Sequence, residues 1–194
     1  VLMDADPARG EDVRPFLSLA RHLAGLGLSP PAILAADETH GLLLLEDLGD
    51  DLYARLIARA PALEPTLYAA AVDLLAELHR SPAPSGLPAY GPETMAPLAA
   101  LAATWYAPTA AGTTRDPENE HALAEAAHAL LQAHAPDTST LVLRDFHAEN
   151  LVWLPDRDGH ARVGLLDVQD AAAVHPAYDL VSLIEDARRD VPEA

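Results

Sequence analysis

Residues 143–150 hold the side chains whose types and spacing could do chemistry, in the order LRDFHAEN. Asp145 and Asn150 stand near the two ends of this segment, and Asp167 ends an apolar run further along the chain. If a strand, a turn and a second strand connect Asn150 to Asp167, oxygen donors from the three residues can converge. Mg²⁺ prefers oxygen ligands, so Asn150 and Asp167, with waters and phosphate oxygens, form a candidate magnesium site. Asp145 is then left to accept a hydroxyl proton.

The same residues also have a plain structural interpretation, because Asp and Asn often cap loops and form turns. For each residue alone that interpretation is favoured, whereas the chemical one is favoured for the three together with the motifs below. Gln169 and Asp170 stay open between a turn and a contact with a sugar or a second metal. His147 is interpreted as a packed loop residue rather than as the base.

Two residue types are absent from the sequence, and their absence excludes several kinds of site. The chain has no Cys, which excludes disulfides, thiolate nucleophiles and zinc–thiolate sites. All 12 basic residues are Arg, so a mechanism that needs a lysine of this chain is excluded as well. His121 and His128 are seven residues apart on a predicted helix face, but without a third ligand they predict no zinc site.

The charge of the chain bears on its partners. The 194 residues carry a formal net charge of −18, which disfavours binding to nucleic acid and to anionic membrane surfaces. A chain of this length fits one large domain or two small lobes. The sequence shows neither a signal-peptide pattern nor a long uninterrupted apolar stretch, so we expect a cytoplasmic protein with no obligate protein partner.

The elements that must position these residues follow from hydrophobic spacing and from Gly and Pro. In the N-terminal part we expect a strand at 1–3, a helix that carries Val13, Phe16 and Leu17, and a hairpin of strands 32–36 and 41–46. We then expect a run of helices broken by a surface loop at 81–97, with Trp105, Tyr106 and Trp153 in core or lobe contacts. Tyr106, beside the loop, stays open as a residue that stacks on a sugar. The predicted helices and strands after the hairpin are helices at 52–57, 66–79, 98–105, 117–134 and 176–189, and strands at 141–143, 151–154 and 162–166.

The pattern Arg-Asp, four residues, Asn, a hairpin and a strand-terminal Asp resembles the catalytic loop and metal-binding Asp of protein kinases. It resembles the aminoglycoside/choline phosphotransferase family more closely. Residues 42–49 (LLLLEDLG) look like the hinge strand of that family, 78–79 (LH) like a recurrent helix end, and 178–180 (YDL) like the helix behind the catalytic loop. Residues 141–190 look most like bacterial kinases that phosphorylate N-acetylmuramate and N-acetylglucosamine at C1 in cell-wall recycling.

The resemblance implies an α+β, two-lobed protein-kinase-like fold. Its partial N-lobe would span residues 1–48, and its mostly helical C-lobe would span 49–194 and carry the catalytic loop. The Gly-rich phosphate loop of the family is not in the sequence, so we expect the chain to be the middle of a longer enzyme, truncated at both ends.

The resemblance also implies roles for single residues, with ATP as co-substrate and Mg²⁺ as cofactor. Asp145 would be the catalytic base, and Asn150 and Asp167 would bind Mg²⁺. The hinge backbone around Glu46 and Leu48 would bind the adenine edge. Asp179 would tie down the catalytic loop by hydrogen bonds. The residues that bind the acceptor stay unassigned.

The sequence departs from the family pattern at three positions. Leu143 stands where the catalytic loop usually begins with His. Met3 stands in the place of the strand lysine, and Phe16 or a near neighbour in the place of its Glu partner. The usual lysine–glutamate clamp on the phosphates therefore cannot form. Either metals and an Arg compensate, or the phosphate grip is weak.

Three functions remain after these departures. The first is ATP-dependent phosphorylation of the anomeric hydroxyl of N-acetylmuramate or N-acetylglucosamine. The second is phosphorylation of an aminoglycoside, choline or another small amino alcohol, which the net charge favours because it attracts a cation. The third is a non-catalytic binding protein that keeps the fold, which the missing lysine favours.

Overall fold

The computed structural model describes residues 1–192. Its N-terminal part is an antiparallel three-stranded sheet in the order β1–β3–β2. The strands are β1 (Leu2–Asp4), β2 (Ile33–Asp37) and β3 (Leu42–Leu45), with Met3 opposite Leu43. Gly41 enters β3 with φ of 70°, and a Cβ there would lie 1.9 Å from the Ala5 carbonyl oxygen. Only glycine therefore allows the close approach in which the Ala5 N–H donates to Gly41 O.

Helix α1 (Arg14–Gly25) lies between β1 and β2 in sequence and buries one side, formed by Phe16, Leu17, Leu19, Ala20 and Leu23. The helix ends as the sequence predicts, because Gly27 takes a left-handed conformation with φ of 77°. It packs against the short 3-10 turn Val168–Asp170, which follows Asp167. The predicted strand, helix and hairpin are all confirmed.

The middle of the chain is helical. Its α-helices are α2 (Tyr53–Arg59), α3 (Glu64–Leu78), α4 (Pro92–Ala99), α5 (Ala107–Ala111) and α6 (Pro117–His134). Asp116 caps α6 by accepting from the N–H groups of Glu118 and Asn119, which satisfies donors that have no partner within the helix. Helices α4 and α6 pack against each other.

The C-terminal part carries two small antiparallel sheets and one helix. Strand β4 (Thr140–Val142) pairs with β7 (Ala172–Val174), and β5 (Leu151–Trp153) pairs with β6 (Val163–Leu165). Helix α7 (Ala177–Ile184) follows. The main hydrophobic core joins the N-terminal sheet, α1, α3 and the β5–β6 hairpin, with Phe16, Leu43, Leu74 and Leu151 in the same buried cluster. A second, smaller cluster of Val142, Ala172 and Val174 lies in the β4–β7 sheet.

Four details differ from the sequence-based expectations. The loop expected at 81–97 ends at Gly91, since helix α4 begins at Pro92 and continues through Pro97. Packing against α6 accompanies this helix. Strand β7 was not predicted, since three small apolar residues become a strand only by pairing with β4. Helix α7 ends at Ile184, and Arg189 beyond it lies 2.7 Å from Glu64 of α3.

The fourth difference concerns the expected packed aromatics. Trp105 and Tyr106 lie in a π-helical turn (Ala102–Tyr106) and are 65% and 75% exposed, so the prediction that they are packed is wrong. Widening the turn changes which side chains face α6, a shift that helical spacing alone does not reveal. Trp153 is half-buried and makes an edge contact with Tyr53. Within residues 1–192, no helix is long and apolar enough to cross a membrane.

Candidate active site

The loop between β4 and β5 carries the first two predicted site residues. Three side chains of this loop, Leu143, Phe146 and Ala148, are buried in the core, and they fix the path of the backbone. Asp145 and Asn150 lie between and after these anchors, and both are half-buried. No hydrogen bond reaches the Asp145 carboxylate within residues 1–192, which leaves it free to act on a ligand.

The β5–β6 hairpin brings Asn150 and Asp167 to the same end. Leu151 lies opposite Leu165, and the N–H of Leu166 donates to Asn150 O at 3.0 Å, which continues the pairing by one step. Asp167 comes directly after this pair and has a left-handed backbone with φ of 57°. The sequence predicted this hairpin, and it is the reason that residues 17 positions apart share one site.

The Asn150 amide ties the two ends of the segment 145–150 together. Its Nδ2 donates to the backbone carbonyl of Asp145 at 3.1 Å and lies 3.3 Å from His147 Nε2. The Asp167 carboxylate has a partner of its own, because Gln169 Nε2 donates to Asp167 Oδ1 at 2.5 Å. The structure therefore gathers Asp145, Asn150 and Asp167 in one region.

The donor set of this region fits a magnesium ion. The amide oxygen of Asn150 and the carboxylate of Asp167 are hard oxygen ligands, the kind that Mg²⁺ selects. Within residues 1–192 no group of three His, Asp or Glu side chains could hold a metal by itself. Two protein ligands completed by phosphate oxygens and waters match this arrangement, whereas a site built wholly from protein side chains does not.

Asp179 of α7 fixes the start of the loop between β4 and β5. It is completely buried, and its carboxylate accepts from the N–H groups of Leu143 at 2.7 Å and Arg144 at 2.9 Å. Burial raises the pKa of Asp179 to about 7; the two N–H donors oppose this rise, and the nearby Asp145 carboxylate adds to it. The hydrogen bonds expected for Asp179 are present, and they hold Arg144 in a left-handed conformation with φ of 72°.

The Arg144 side chain is held by neighbours that the sequence did not point to. Its guanidinium lies 4.5 Å from the ring centre of Tyr90, and Nη1 donates to the Asp170 carbonyl at 3.2 Å. Tyr90 makes an edge contact with Tyr178 of α7. These contacts were not found by sequence reasoning, because Tyr90 comes from a loop more than fifty residues upstream.

The hinge segment connects the sheet to the helical part. Glu46 links the hinge to both parts of the chain. Its side chain pairs with Arg157 of the C-terminal part at 2.5 Å, and its backbone N–H donates to Ala32 O of the N-terminal part at 2.8 Å. Leu48 packs against Gly164 of β6. Within residues 1–192, the Glu46 carbonyl and the Leu48 N–H have no hydrogen-bond partner, so an acceptor and a donor are available on this edge.

Met3 and Phe16 have apolar surroundings where the family pattern has a charged pair. Met3 packs partly buried against the core, and Phe16 is buried within it. Neither side chain carries a charge, so these two residues form no ion pair with each other. Both side chains contribute to the hydrophobic core instead.

Comparison with known proteins decides the family. The sequence matches the family described as "Phosphotransferase enzyme family" over residues 1–194. The chain belongs to this phosphotransferase family. Its fold agrees with solved structures of aminoglycoside phosphotransferases. The ADP-bound APH(2'')-Ib enzyme has a TM-score of 0.59 at 20% identity, covering 91% of this chain and 61% of that one. The APH(3'')-Id enzyme from Streptomyces rimosus, in complex with ADP and streptomycin, has a TM-score of 0.61 at 18% identity, covering 96% and 70%.

Curated relatives of this phosphotransferase carry a sugar-kinase name. The protein named N-acetylmuramate/N-acetylglucosamine kinase from Caulobacter vibrioides is 44% identical over 92% of this chain and 51% of its own length. The protein of the same name from Pseudomonas putida is 31% identical over 100% of this chain and 55% of its own length. The chain thus spans about half the length of the curated relatives that it matches. The predicted kinase-like fold and family resemblance are confirmed.

Proposed function

We propose that this phosphotransferase transfers the γ-phosphoryl group of ATP to the anomeric hydroxyl of N-acetylmuramate or N-acetylglucosamine. The gathering of Asp145, Asn150 and Asp167 at one end of the β5–β6 hairpin carries the proposal of phosphoryl transfer. The names of the curated relatives support the sugar acceptor. Residues 1–48 form the partial N-lobe in this proposal and 49–194 the C-lobe, and we expect the reaction to take place in the cytoplasm, where ATP is available.

The reaction needs little covalent chemistry from the protein. The sugar oxygen forms a bond to the γ-phosphorus, the bond from that phosphorus to the leaving oxygen of ADP breaks, and Asp145 accepts the hydroxyl proton. Asn150 and Asp167 would hold Mg²⁺, which would supply charge neutralisation on the phosphates when bound. The Glu46 carbonyl and the Leu48 N–H align the adenine edge. The protein thus contributes position and electrostatics.

Without the lysine, nucleotide binding in this proposal would depend on Mg²⁺ at the phosphates and on the hinge at the adenine. Met3 and Phe16 offer no charge, and the Arg144 guanidinium is already placed against Tyr90 and the Asp170 carbonyl. We therefore expect nucleotide affinity to depend more steeply on Mg²⁺ than in a kinase with the lysine clamp.

The acceptor is tested by radiolabelled phosphate transfer from ATP across a panel of N-acetylmuramate, N-acetylglucosamine, choline and a cationic aminoglycoside. We expect turnover of the two amino sugars. Turnover of the cationic compounds alone would favour the second candidate, which the net charge of −18 supports. Nucleotide binding without any turnover would favour a non-catalytic binding protein.

The role of Asp145 is tested by Asp145→Asn, which removes the proton acceptor and nearly preserves shape. We expect the turnover rate to fall by about 10²- to 10⁴-fold, the usual contribution of a general base. The melting temperature should stay nearly the same. Asp158→Asn is the matched control, because Asp158 is exposed and its nearest cation, Arg162, lies 3.9 Å away. Equal activity in the Asp145 and Asp158 variants would contradict the assignment.

A further inference from the structure

His147 is a buried histidine inside the catalytic loop with no role assigned so far. Its side chain is 5% exposed, and its Nε2 lies 3.3 Å from Nδ2 of Asn150. It therefore touches a residue that holds Mg²⁺ in the proposed function. A contact of this kind can orient a metal ligand without touching the metal.

The orientation of the Asn150 amide follows from its neighbours. The atom assigned as Nδ2 lies 3.1 Å from the Asp145 carbonyl oxygen, which only accepts hydrogen bonds. That atom must be the NH₂ group, because an amide oxygen there would face another acceptor. Both NH₂ hydrogens then have partners, one on the Asp145 carbonyl and one on His147 Nε2. The amide oxygen is left free within residues 1–192.

The Asn150 amide also determines which ring nitrogen of His147 accepts a hydrogen bond. Its Nε2 faces an NH₂ donor, so it must present a lone pair, and the ring proton must sit on Nδ1. A lone pair already occupied by Asn150 cannot serve as a general base. His147 therefore supports the site without competing with Asp145.

The other ring nitrogen indicates that packing alone did not place a histidine here. His147 Nδ1 is buried and has no hydrogen-bond partner within residues 1–192. A buried donor without a partner is destabilising, and an apolar side chain of similar size would avoid this loss. The histidine is thus better explained by what Nε2 does for Asn150.

We propose that His147 is a positioning residue, which holds the Asn150 amide with its NH₂ group turned into the loop and its oxygen available to Mg²⁺. This inference rests on the proposed function, since it assumes that Asn150 is a metal ligand. Outer partners of metal ligands typically contribute about 10- to 100-fold in metal affinity. Replacing His147 by an apolar residue should therefore weaken metal binding while the stability of the fold stays the same or rises.

The test measures binding of Mn²⁺ in the presence of ADP by electron paramagnetic resonance, together with melting temperature. His147→Leu removes the acceptor and the buried donor, and we expect about 10-fold weaker Mn²⁺ binding with an unchanged or higher melting temperature. His147→Gln can place its carbonyl oxygen where Nε2 was and should restore much of the affinity. His147→Asn, whose oxygen mimics Nδ1 and not Nε2, should not.

The matched control is His79→Leu. His79 follows α3, and its Nε2 is also buried without a hydrogen-bond partner within residues 1–192, so it donates to and accepts from neither Asn150 nor Asp167. This variant should bind Mn²⁺ as the wild type does. If His147→Leu does not fold, the comparison of His147→Gln with His147→Asn still decides the question.

The outcomes separate the two proposals. No Mn²⁺ binding by the wild type would overturn the proposed function and the role of His147 with it. Mn²⁺ binding by the wild type with equal affinity in all His147 variants would overturn the positioning role alone. Nitrogen NMR of the wild type gives an independent readout: a proton on Nδ1 supports the inference, and a proton on Nε2 overturns it.

Discussion

At the scale of single residues, the site depends on carboxylates in different surroundings. Asp167 is exposed and keeps an oxygen for a ligand, whereas Asp179 is completely buried and gives its two oxygens to backbone N–H groups. A carboxylate loses its hydration on burial, which disfavours its charged form. Chain position does not distinguish the two acids, but their burial does.

The raised pKa of Asp179 predicts a pH dependence of stability. The pKa of Asp179 is about 7 in the folded protein and 3.8 for an unperturbed Asp, the value taken for the unfolded chain. The folded protein therefore binds the proton more tightly. The stabilisation is complete below the unfolded pKa and is lost as pH rises through the folded pKa. Urea unfolding should therefore show a contribution of about 4 kcal/mol, at about 1.4 kcal/mol per pKa unit, that disappears between pH 4 and pH 7.

Asp179→Asn isolates this contribution. The amide does not titrate, so the difference in unfolding free energy between wild type and variant should shrink as pH rises. Asn offers one acceptor oxygen in place of two, so one of the N–H groups of Leu143 and Arg144 loses its partner, at about 1–3 kcal/mol. A difference that is constant from pH 4 to pH 8 would contradict the shifted pKa.

At the scale of elements, the β5–β6 hairpin and the hinge segment pack closely against each other at Gly164. A Cβ on Gly164 would lie 3.0 Å from Leu48 Cδ1, 3.1 Å from Val152 Cβ and 3.2 Å from Leu154 Cδ1. Ser29 adds a second link, because its Oγ donates to Ala161 O at 2.7 Å. The absence of a side chain at Gly164 thus sets how closely the hinge approaches the hairpin that carries Asn150.

Gly164→Ala should therefore disturb stability and nucleotide binding together. The three contacts are tighter than ordinary packing, and we expect a loss of about 1–3 kcal/mol in the free energy of unfolding. Displacement of Leu48 should also weaken ADP binding, measured by calorimetry. Gly25→Ala is the matched control, since nothing lies within 4 Å of its Cβ position and it ends helix α1. That change should be neutral or stabilising by about 0.5–1 kcal/mol, with unchanged ADP binding.

At the scale of the whole molecule, negative charge dominates the surface. The net charge of −18 is spread over a chain whose cations are already paired in many places, as in Arg115–Glu120 and Arg157–Glu46. Like charges at such density repel one another and favour expansion of the chain. Salt screens this repulsion, since the Debye length shortens from about 30 Å at 0.01 M to about 8 Å at 0.15 M.

Stability should therefore rise with salt. Between 10 and 150 mM NaCl we expect an increase of about 1 kcal/mol, or about 2–4 °C in melting temperature for a domain of this size. KCl should act equally if the effect is screening. A melting temperature that falls with salt would mean that exposed ion pairs outweigh the net repulsion.

The sequence by itself determined most of the longer helices, the two hairpins and which residues are candidates for the site. Helical spacing gave α1, α3 and α6, and residue type and order pointed to Asp145, Asn150 and Asp167. These signals are local: a helix needs a side that is apolar along its own sequence, and a catalytic loop needs particular groups at particular spacings. Local signals survive without knowledge of what each element packs against.

Only the tertiary structure decided which groups meet. Strand β7 exists because β4 lies beside it, and the Arg144 side chain is held by Tyr90 from a distant loop. The raised pKa of Asp179 depends on its complete burial behind the loop between β4 and β5. The Asn150 amide has a defined orientation only because His147 and the Asp145 carbonyl lie on one side of it. Burial and hydrogen bonding between residues far apart in the chain depend on distances, and distances are set only when the whole chain has packed.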